Sequence, residues 1–156
     1  MTEPSSNTPQ VLVFPPILFV GTLTLSLLLH WWKPIAMLPA LLARILGLSL
    51  PIFSLLLVRA AEKCMKGAGT NIRPDQPSLS VVTGGPFRFT RNPMYLGSIG
   101  LYLALAFLLN TVWPLLLLPI MLAVLHWGVV RREERYLEAR FGDPYRQYRA
   151  RVRRWI

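Results

Sequence analysis

The sequence predicts an all-α integral membrane protein with about four transmembrane helices and a cytoplasmic C-terminal amphipathic helix. Three observations carry this. Of its 156 residues, 53% are hydrophobic and only 15% are charged, against roughly 25% charged in an average soluble domain. Charge is missing from long runs: none falls from Val11 to Trp32, only Arg44 from Pro34 to Val58, and none from Asn92 to Val130. The 17 Lys and Arg gather between and after those runs. One helical crossing takes about 20 mostly apolar residues. The first two runs are therefore one span each, about 11–31 and 36–58. The third is too long for one helix and is broken at Asn110-Thr111-Val112-Trp113-Pro114, which predicts a hairpin of spans at about 94–109 and 113–130.

Residues 1–10 are polar and are expected to be disordered; 11–156 are read as a single membrane-embedded domain. Met1 to Gln10 holds Glu3 and no Lys or Arg, so the basic n-region of a signal peptide is missing and the first span is expected to be retained. Pro15-Pro16 fall inside that span as drawn, which membrane helices tolerate when neighbours satisfy the freed carbonyls. His30, beside Trp31-Trp32, reads as a residue of the interfacial aromatic belt. Arg44 reads either as a sign that span two starts later than drawn, the favoured reading, or as an arginine facing the bundle.

The segment 59–92 contains Gly67-Ala-Gly69, Pro74, Pro77 and Gly84-Gly85-Pro86. That density predicts irregular backbone, and the length exceeds ordinary connections, as functional loops do. Its second half, Leu79 to Phe89, is apolar and aromatic and is expected to order against the membrane face. After span four the helix is expected to continue to Phe141 and stop at Gly142. Asp143-Pro144 then reads as an N-cap and a first-turn proline. Tyr145, Tyr148, Val152 and Trp155 share one face of the helix that follows and Arg146, Arg149, Arg153 and Arg154 take the others, the pattern of an interfacial amphipathic helix.

The charge distribution sets sidedness. Six Lys and Arg lie between spans two and three (Arg59, Lys63, Lys66, Arg73, Arg88, Arg91) and nine lie after span four. With four spans these two segments share a side, and basic residues accumulate in the cytoplasm. Both termini are expected there. The net charge of +10 therefore reads as membrane anchoring on anionic headgroups and not as a nucleic-acid surface. One cysteine, Cys64, forms no internal disulfide, and one Cys with two distant His builds no zinc site; no metal is expected.

Two features carry chemistry. Gly85-Pro-Phe-Arg-Phe-Thr-Arg-Asn-Pro-Met-Tyr-Leu-Gly97 enters span three, and Arg131-Arg132-Glu133-Glu134 leaves span four. Both belong at the cytoplasmic mouth of the hairpin and are expected to be close in space. The first has a plain structural reading, with Asn92 as N-cap, Pro93 as first helical residue, Arg88 and Arg91 as cytoplasmic anchors and Tyr95 as an interfacial aromatic. Two carboxylates where a span leaves the bilayer on its basic side have none beyond pairing with neighbouring arginines. His126 lies seven residues before Glu133, two turns along one face. As an intramembrane ionisable group it is a candidate to line an acceptor pocket or act as a base, or it is a neutral histidine bonded across helices.

The run Gly84 to Gly97, the Glu133-Glu134 pair 38 residues beyond Tyr95, and Phe141-Gly-Asp-Pro-Tyr-Arg-Gln-Tyr148 together resemble the isoprenylcysteine carboxyl methyltransferase family, with related patterns in phospholipid N-methyltransferases. Gly69-Thr70 followed by Arg73-Pro74 resembles the bacterial branch, which implies an inner-membrane enzyme. The resemblance implies an integral membrane methyltransferase that uses S-adenosylmethionine without a Rossmann fold. It implies a cytosol-facing cofactor pocket walled by Ser80, Val81, Val82, Phe87, Arg91, Asn92, Pro93, Tyr95, Glu133 and Glu134. Asn92 stands where the eukaryotic members have histidine and Phe87 where they have tyrosine. The arginine that the family uses for the substrate carboxylate falls near Val129, and Arg131 or Arg132 is the nearest substitute. Arg132 and His126 are the candidate catalytic residues.

Methyl transfer from a sulfonium needs mainly proximity and orientation, which suits a site with no evident nucleophile. The expected acceptor is a lipidic or membrane-dissolved small molecule arriving through the bilayer, with membrane lipids as the other partners. The alternatives are an NAD(P)H-dependent membrane reductase and a non-catalytic membrane scaffold.

Overall fold

The computed structural model describes residues 8–73 and 76–156. Residues 1–7 of the expected disordered segment, and Pro74 and Asp75, lie outside the described residues. Among those described there is no strand. Helix α1 runs Pro15–Trp32 and α2 Ala40–Gly67. A 3-10 turn, Gly85–Arg88, precedes α3, Pro93–Leu108. Helix α4, Trp113–Leu125, passes through a π-helical turn, His126–Val130, into α5, Arg131–Phe141, and α6 covers Asp143–Arg151.

Among the described residues, three helices are long and apolar enough to cross a membrane: α1, α2, and the continuous run Trp113–Phe141. Helix α3 is apolar but has 16 residues, about 24 Å at 1.5 Å per residue, less than the roughly 30 Å of a hydrocarbon core. Their outward faces are apolar, with Ile17 and Val20 of α1, Leu48 and Phe53 of α2, and Leu116 and Ile120 of α4 each more than half exposed.

Helix α2 packs chiefly on α3. Its buried residues, Ala43, Gly47, Ser54 and Ala61, are all small, and α3 answers with Gly97 and Ala104. Small residues let membrane helices approach closely. A Cβ on Gly47 would stand 2.7 Å from the Leu108 Cγ, and one on Gly97 would collide with Val58. Helix α1 lies mainly against α4, where the Thr22 hydroxyl approaches Met121 Sδ at 3.3 Å.

Both interhelical turns lie at one end and are tied together. Asn110, at φ +45°, accepts from the Met37 and Leu38 N–H at 3.1 and 3.0 Å and donates to the Leu38 carbonyl at 2.8 Å. The Trp113 indole donates to the Lys33 carbonyl at 2.8 Å. His30 is not an idle belt residue: its Nδ1 lies 3.0 Å from the hydroxyl of buried Thr111.

Several expectations move. Pro15-Pro16 are the first two helical residues of α1 and not an interior pair, so neither needs an N–H partner. Helix α2 starts at Ala40, later than the span drawn from 36, and Arg44 is exposed in its first turns and does not face the bundle. The same helix runs nine residues past the expected end at Val58, because Ala60-Ala61-Glu62-Lys63 are strong helix formers whatever their polarity. The irregular loop is therefore 68–84.

Candidate active site

At the end away from the turns, the loop after α2, the start of α3 and the start of α5 enclose a cavity of about 580 Å³. Every residue expected to hold the cofactor, from Ser80 to Glu134, lines it.

The loop is self-tied before it reaches the site. The Leu79 N–H donates to the hydroxyl of buried Thr70 at 2.9 Å, Asn71 donates to the Pro77 carbonyl at 2.9 Å, and Ser80 donates to the Ala68 carbonyl at 2.9 Å. The Ser78 N–H reaches the Tyr136 hydroxyl on α5 at 3.1 Å. Val81, Val82 and Phe87 then pack with Ala61 of α2 and Tyr145 and Tyr148 of α6. This corrects the expected membrane-facing order of Leu79–Phe89: most of the apolar half turns into the protein, while Leu79 and Phe89 stay exposed. It also corrects the amphipathic tail. Tyr145 and Tyr148 face inward, Tyr148 donating to the Phe87 carbonyl at 2.8 Å, and the helix ends at Arg151 with Val152 extended. Asp143 does not cap α6 through its side chain; it pairs with Arg146 at 3.1 Å. Burial pushes the Tyr145 phenol up to about 12.

The extended segment after Arg151 was not singled out by sequence reasoning, and it holds the site together. The Arg153 carbonyl accepts from the Arg91 N–H at 3.0 Å. The Arg154 carbonyl accepts from Thr90 at 3.1 Å and from the Asn92 amide at 2.8 Å. Asn92 is therefore no side-chain cap for α3; its one directed bond pins this segment. The Arg154 guanidinium grips Glu134 with Nε and Nη2 at 2.9 and 2.7 Å. Such forked, charge-assisted contacts are the strong kind.

The two adjacent glutamates thus differ. Glu134 is buried and held by Arg154, with Arg91 Nη1 a further 3.2 Å away. Glu133 meets one partner, the Tyr95 hydroxyl, which donates to its Oε1 at 2.6 Å. This contact confirms that the Tyr95 motif and the Glu pair are close in space. Glu133 lies beyond the apolar run that ends at Val130. Burial pushes its carboxyl up to about 7; the Tyr95 bond works against this and the Glu134 charge adds to it. The Arg91 side chain is 9% exposed; its Nη1 pairs with Glu134 at 3.2 Å, and its Nε has no hydrogen-bond acceptor among the described residues. Buried donors without partners are rare in folded proteins. Arg91 and Glu133 both line the cavity.

Neither candidate catalytic residue reaches that cavity. Arg132 donates to the Gln10 carbonyl at 2.9 Å. His126 stacks near Trp127 and Trp155, at ring distances of 5.3 and 6.5 Å. The cause is the π turn at 126–130. One extra residue per turn rotates everything after it by about 100° and takes Glu133 off the face of His126. The turn also leaves the Gly128 carbonyl to accept from the Leu12 N–H at 2.9 Å. The segment before α1 is thereby laid along α5, and Pro9 and Phe14 close one side of the cavity. Val129, near which the family arginine falls, is fully buried among Leu125 and Val130. The remaining wall is apolar: Phe19, Val20 and Leu23 of α1 face Leu101 and Leu105 of α3.

A model of the phospholipid methyltransferase family matches residues 42–144, which includes most of α2, the loop, the α3–α4 hairpin and both glutamates. An uncharacterised protein of Haemophilus influenzae is 40% identical over 63 residues, 40% of this chain and the whole of that protein. No solved structure matches the chain.

Proposed function

The chain belongs to the phospholipid methyltransferase family, and from that premise we propose that it is an S-adenosylmethionine-dependent membrane methyltransferase of the isoprenylcysteine carboxyl methyltransferase type, acting on a lipidic or membrane-dissolved acceptor. The observation that carries this reading is the buried Arg91 guanidinium, whose Nε has no hydrogen-bond acceptor among the described residues, lining the same cavity as Glu133. An amino acid conjugate presents the matching groups: a carboxylate for Arg91, and an ammonium or ribose hydroxyls for Glu133.

When bound, S-adenosylmethionine supplies an electrophilic methyl carbon on a sulfonium. The protein's part is to hold, orient and exclude water. Arg91 and Glu133 fix the polar end; Glu134, Arg154 and Asn92 keep Arg91 in place; Tyr95 sets the Glu133 rotamer. The apolar arm between α1 and α3 would admit the acceptor from the bilayer and hold it beside the polar end of the cavity. Effective concentrations gained by such positioning account for much of a methyl-transfer barrier.

Four crossings are part of this proposal. Helix α3 lies along α2 for most of its length, and its shortfall against the bilayer is of a size that local thinning accommodates. Both termini and the cavity mouth then lie in the cytoplasm of a bacterial inner membrane, where the cofactor is. The test is calorimetric titration of the detergent-purified protein with S-adenosylmethionine and, separately, with NADPH. Saturable one-site binding of the first alone supports the reading. Binding of NADPH alone, or of neither, overturns it.

A further inference from the structure

The face of α2 turned away from α3 is organised along its whole length. Leu41, Ile45, Leu48, Ile52 and Leu56 are followed, at the same spacing of three and four, by Arg59, Lys63 and Lys66. At about 100° per residue all of these positions fall within an arc of about 80°. The five aliphatic residues are 54–72% exposed and the three cations are exposed as well. The opposite side of the helix holds the small residues packed on α3.

None of the three cations makes an ion pair among the described residues. With Glu62 and Gly67 they line a depression in the surface of α2 beyond its apolar run. Glu62 at its rim leaves a modest net positive charge. Measured up the helix from Val58, Arg59 and Lys63 stand at about 1.5 and 7.5 Å, the depth of a headgroup layer about 5–7 Å thick. Lys66, about 12 Å up, reaches back on its four-carbon stem.

We propose that this stripe binds one anionic phospholipid. The acyl chain lies on the aliphatic residues from Leu56 to about Ile45, which is the roughly 15 Å depth of one leaflet. The phosphate diester is held by Arg59 and Lys63, with Lys66 closing over it. An acidic protein would engage the cations alone; a lipid matches both halves of the stripe, and they are continuous. The site is separate from the cavity and stands whether or not the chain binds S-adenosylmethionine.

The experiment uses the full chain in nanodiscs of equal phosphatidylglycerol and phosphatidylcholine, with retained lipid read by native mass spectrometry. The parent keeps one phosphatidylglycerol in preference to phosphatidylcholine. At about 1 kcal/mol per basic residue near an anionic surface, the R59Q/K63Q/K66Q variant loses that preference at least tenfold, and K63Q alone loses it about threefold to fivefold. The control R135Q/R140Q/R151Q removes the same charge elsewhere and keeps the preference. Melting in pure phosphatidylcholine shows whether each variant is folded; if the triple variant is not, K63Q decides. Equal loss in both triple variants means that net charge alone recruits lipid, and overturns the site. So does an unchanged preference, or a protein-sized mass on this face with no retained phosphatidylglycerol.

Discussion

The two ends of the bundle are both rich in polar groups, and they use them differently. At the turn end, the side-chain amide of Asn110 makes three hydrogen bonds to the 37–38 backbone, and His30 is matched to Thr111. At the cavity end, Glu134 is similarly saturated by Arg91 and Arg154, but Arg91 keeps its buried Nε unmet and Glu133 meets only Tyr95 among the described residues. Polar groups that serve only the fold are satisfied by the fold. Those left over mark where a ligand is expected. The same contrast divides two neighbours in the chain, since Glu134 belongs with the structural set and Glu133 with the unfinished one.

The largest effect expected from breaking this comparison is at Glu134. Glu134→Gln leaves the guanidiniums of Arg91 and Arg154 facing a neutral amide. Removing one partner of a buried charge cluster costs about 3 kcal/mol or more, so the melting temperature in detergent falls and cofactor binding is lost with it. A variant that melts like the parent would show that the segment after Arg151 is held by its carbonyl contacts alone.

Asn110→Ala should come next, and it should be one-sided. It removes three hydrogen bonds and replaces the residue that, after glycine, best tolerates positive φ, together about 2–3 kcal/mol. Thermal stability drops while the affinity for S-adenosylmethionine in the surviving folded protein stays at the parent value. A parallel loss of affinity would show the two ends to be coupled.

Glu133→Gln should have the opposite profile, with normal melting and weakened binding by about 1.5–2 kcal/mol, or tenfold to thirtyfold. The raised carboxyl adds a pH signature. Because the folded protein holds this proton more tightly than the unfolded chain does, the group's contribution to stability is fully present below the ordinary carboxyl range, about 4.5, and is lost as the pH rises to about 7. Ligand binding runs the other way. A cofactor ammonium or hydroxyl needs the carboxylate, so affinity should rise from pH 6 to 8 with release of a proton, seen as a buffer-dependent heat. Glu133→Gln should flatten that profile. A flat profile in the parent would mean that Glu133 does not touch the ligand.

How much of this could be read beforehand depends on the range of the interaction that decides each feature. Apolar run lengths decide the long helices, and the Asn110–Pro114 break decides the hairpin, because both are local. Charge from Arg59 to Lys66 reads as loop, yet these residues propagate a helix as readily as leucines, so α2 ends later than its apolar run. The pairing of Tyr95 with Glu133 was reachable from the motif and its spacing. The part played by Arg154 was not. It depends on the helix ending at Arg151 and on backbone pairing between Arg153 and Arg91, far apart in sequence; the apolar periodicity runs on through Val152 and Trp155 and gives no sign of that end. The π turn left no signal beyond Gly128 in an apolar run, and it removed His126 from the site. Asn92 was taken for a cap because its type and its proline neighbour fit one; a carbonyl 62 residues away competed for its amide and won.

The smallest expected effect separates two ways in which Tyr95 serves the site. Its hydroxyl donates to Glu133 Oε1, and this bond holds the carboxyl lower than burial alone would. If Tyr95 acts through Glu133, Tyr95→Phe lets the carboxyl rise further above 7. Affinity for S-adenosylmethionine near pH 7.5 then falls by about 0.5–1 kcal/mol, or twofold to fivefold, and recovers by about pH 9, where Glu133 is ionised again. Added to Glu133→Gln, the same change should do little more, since an amide has no proton to be displaced. Interacting residues show this kind of non-additivity in double-mutant cycles. If Tyr95 instead touches the ligand directly, the loss persists at pH 9 and adds to that of Glu133→Gln in full. Calorimetric affinities for the parent, both single variants and the double variant at the two pH values distinguish these cases. A fully additive, pH-independent loss would move Tyr95 from the support of Glu133 to the ligand-contacting wall beside Arg91.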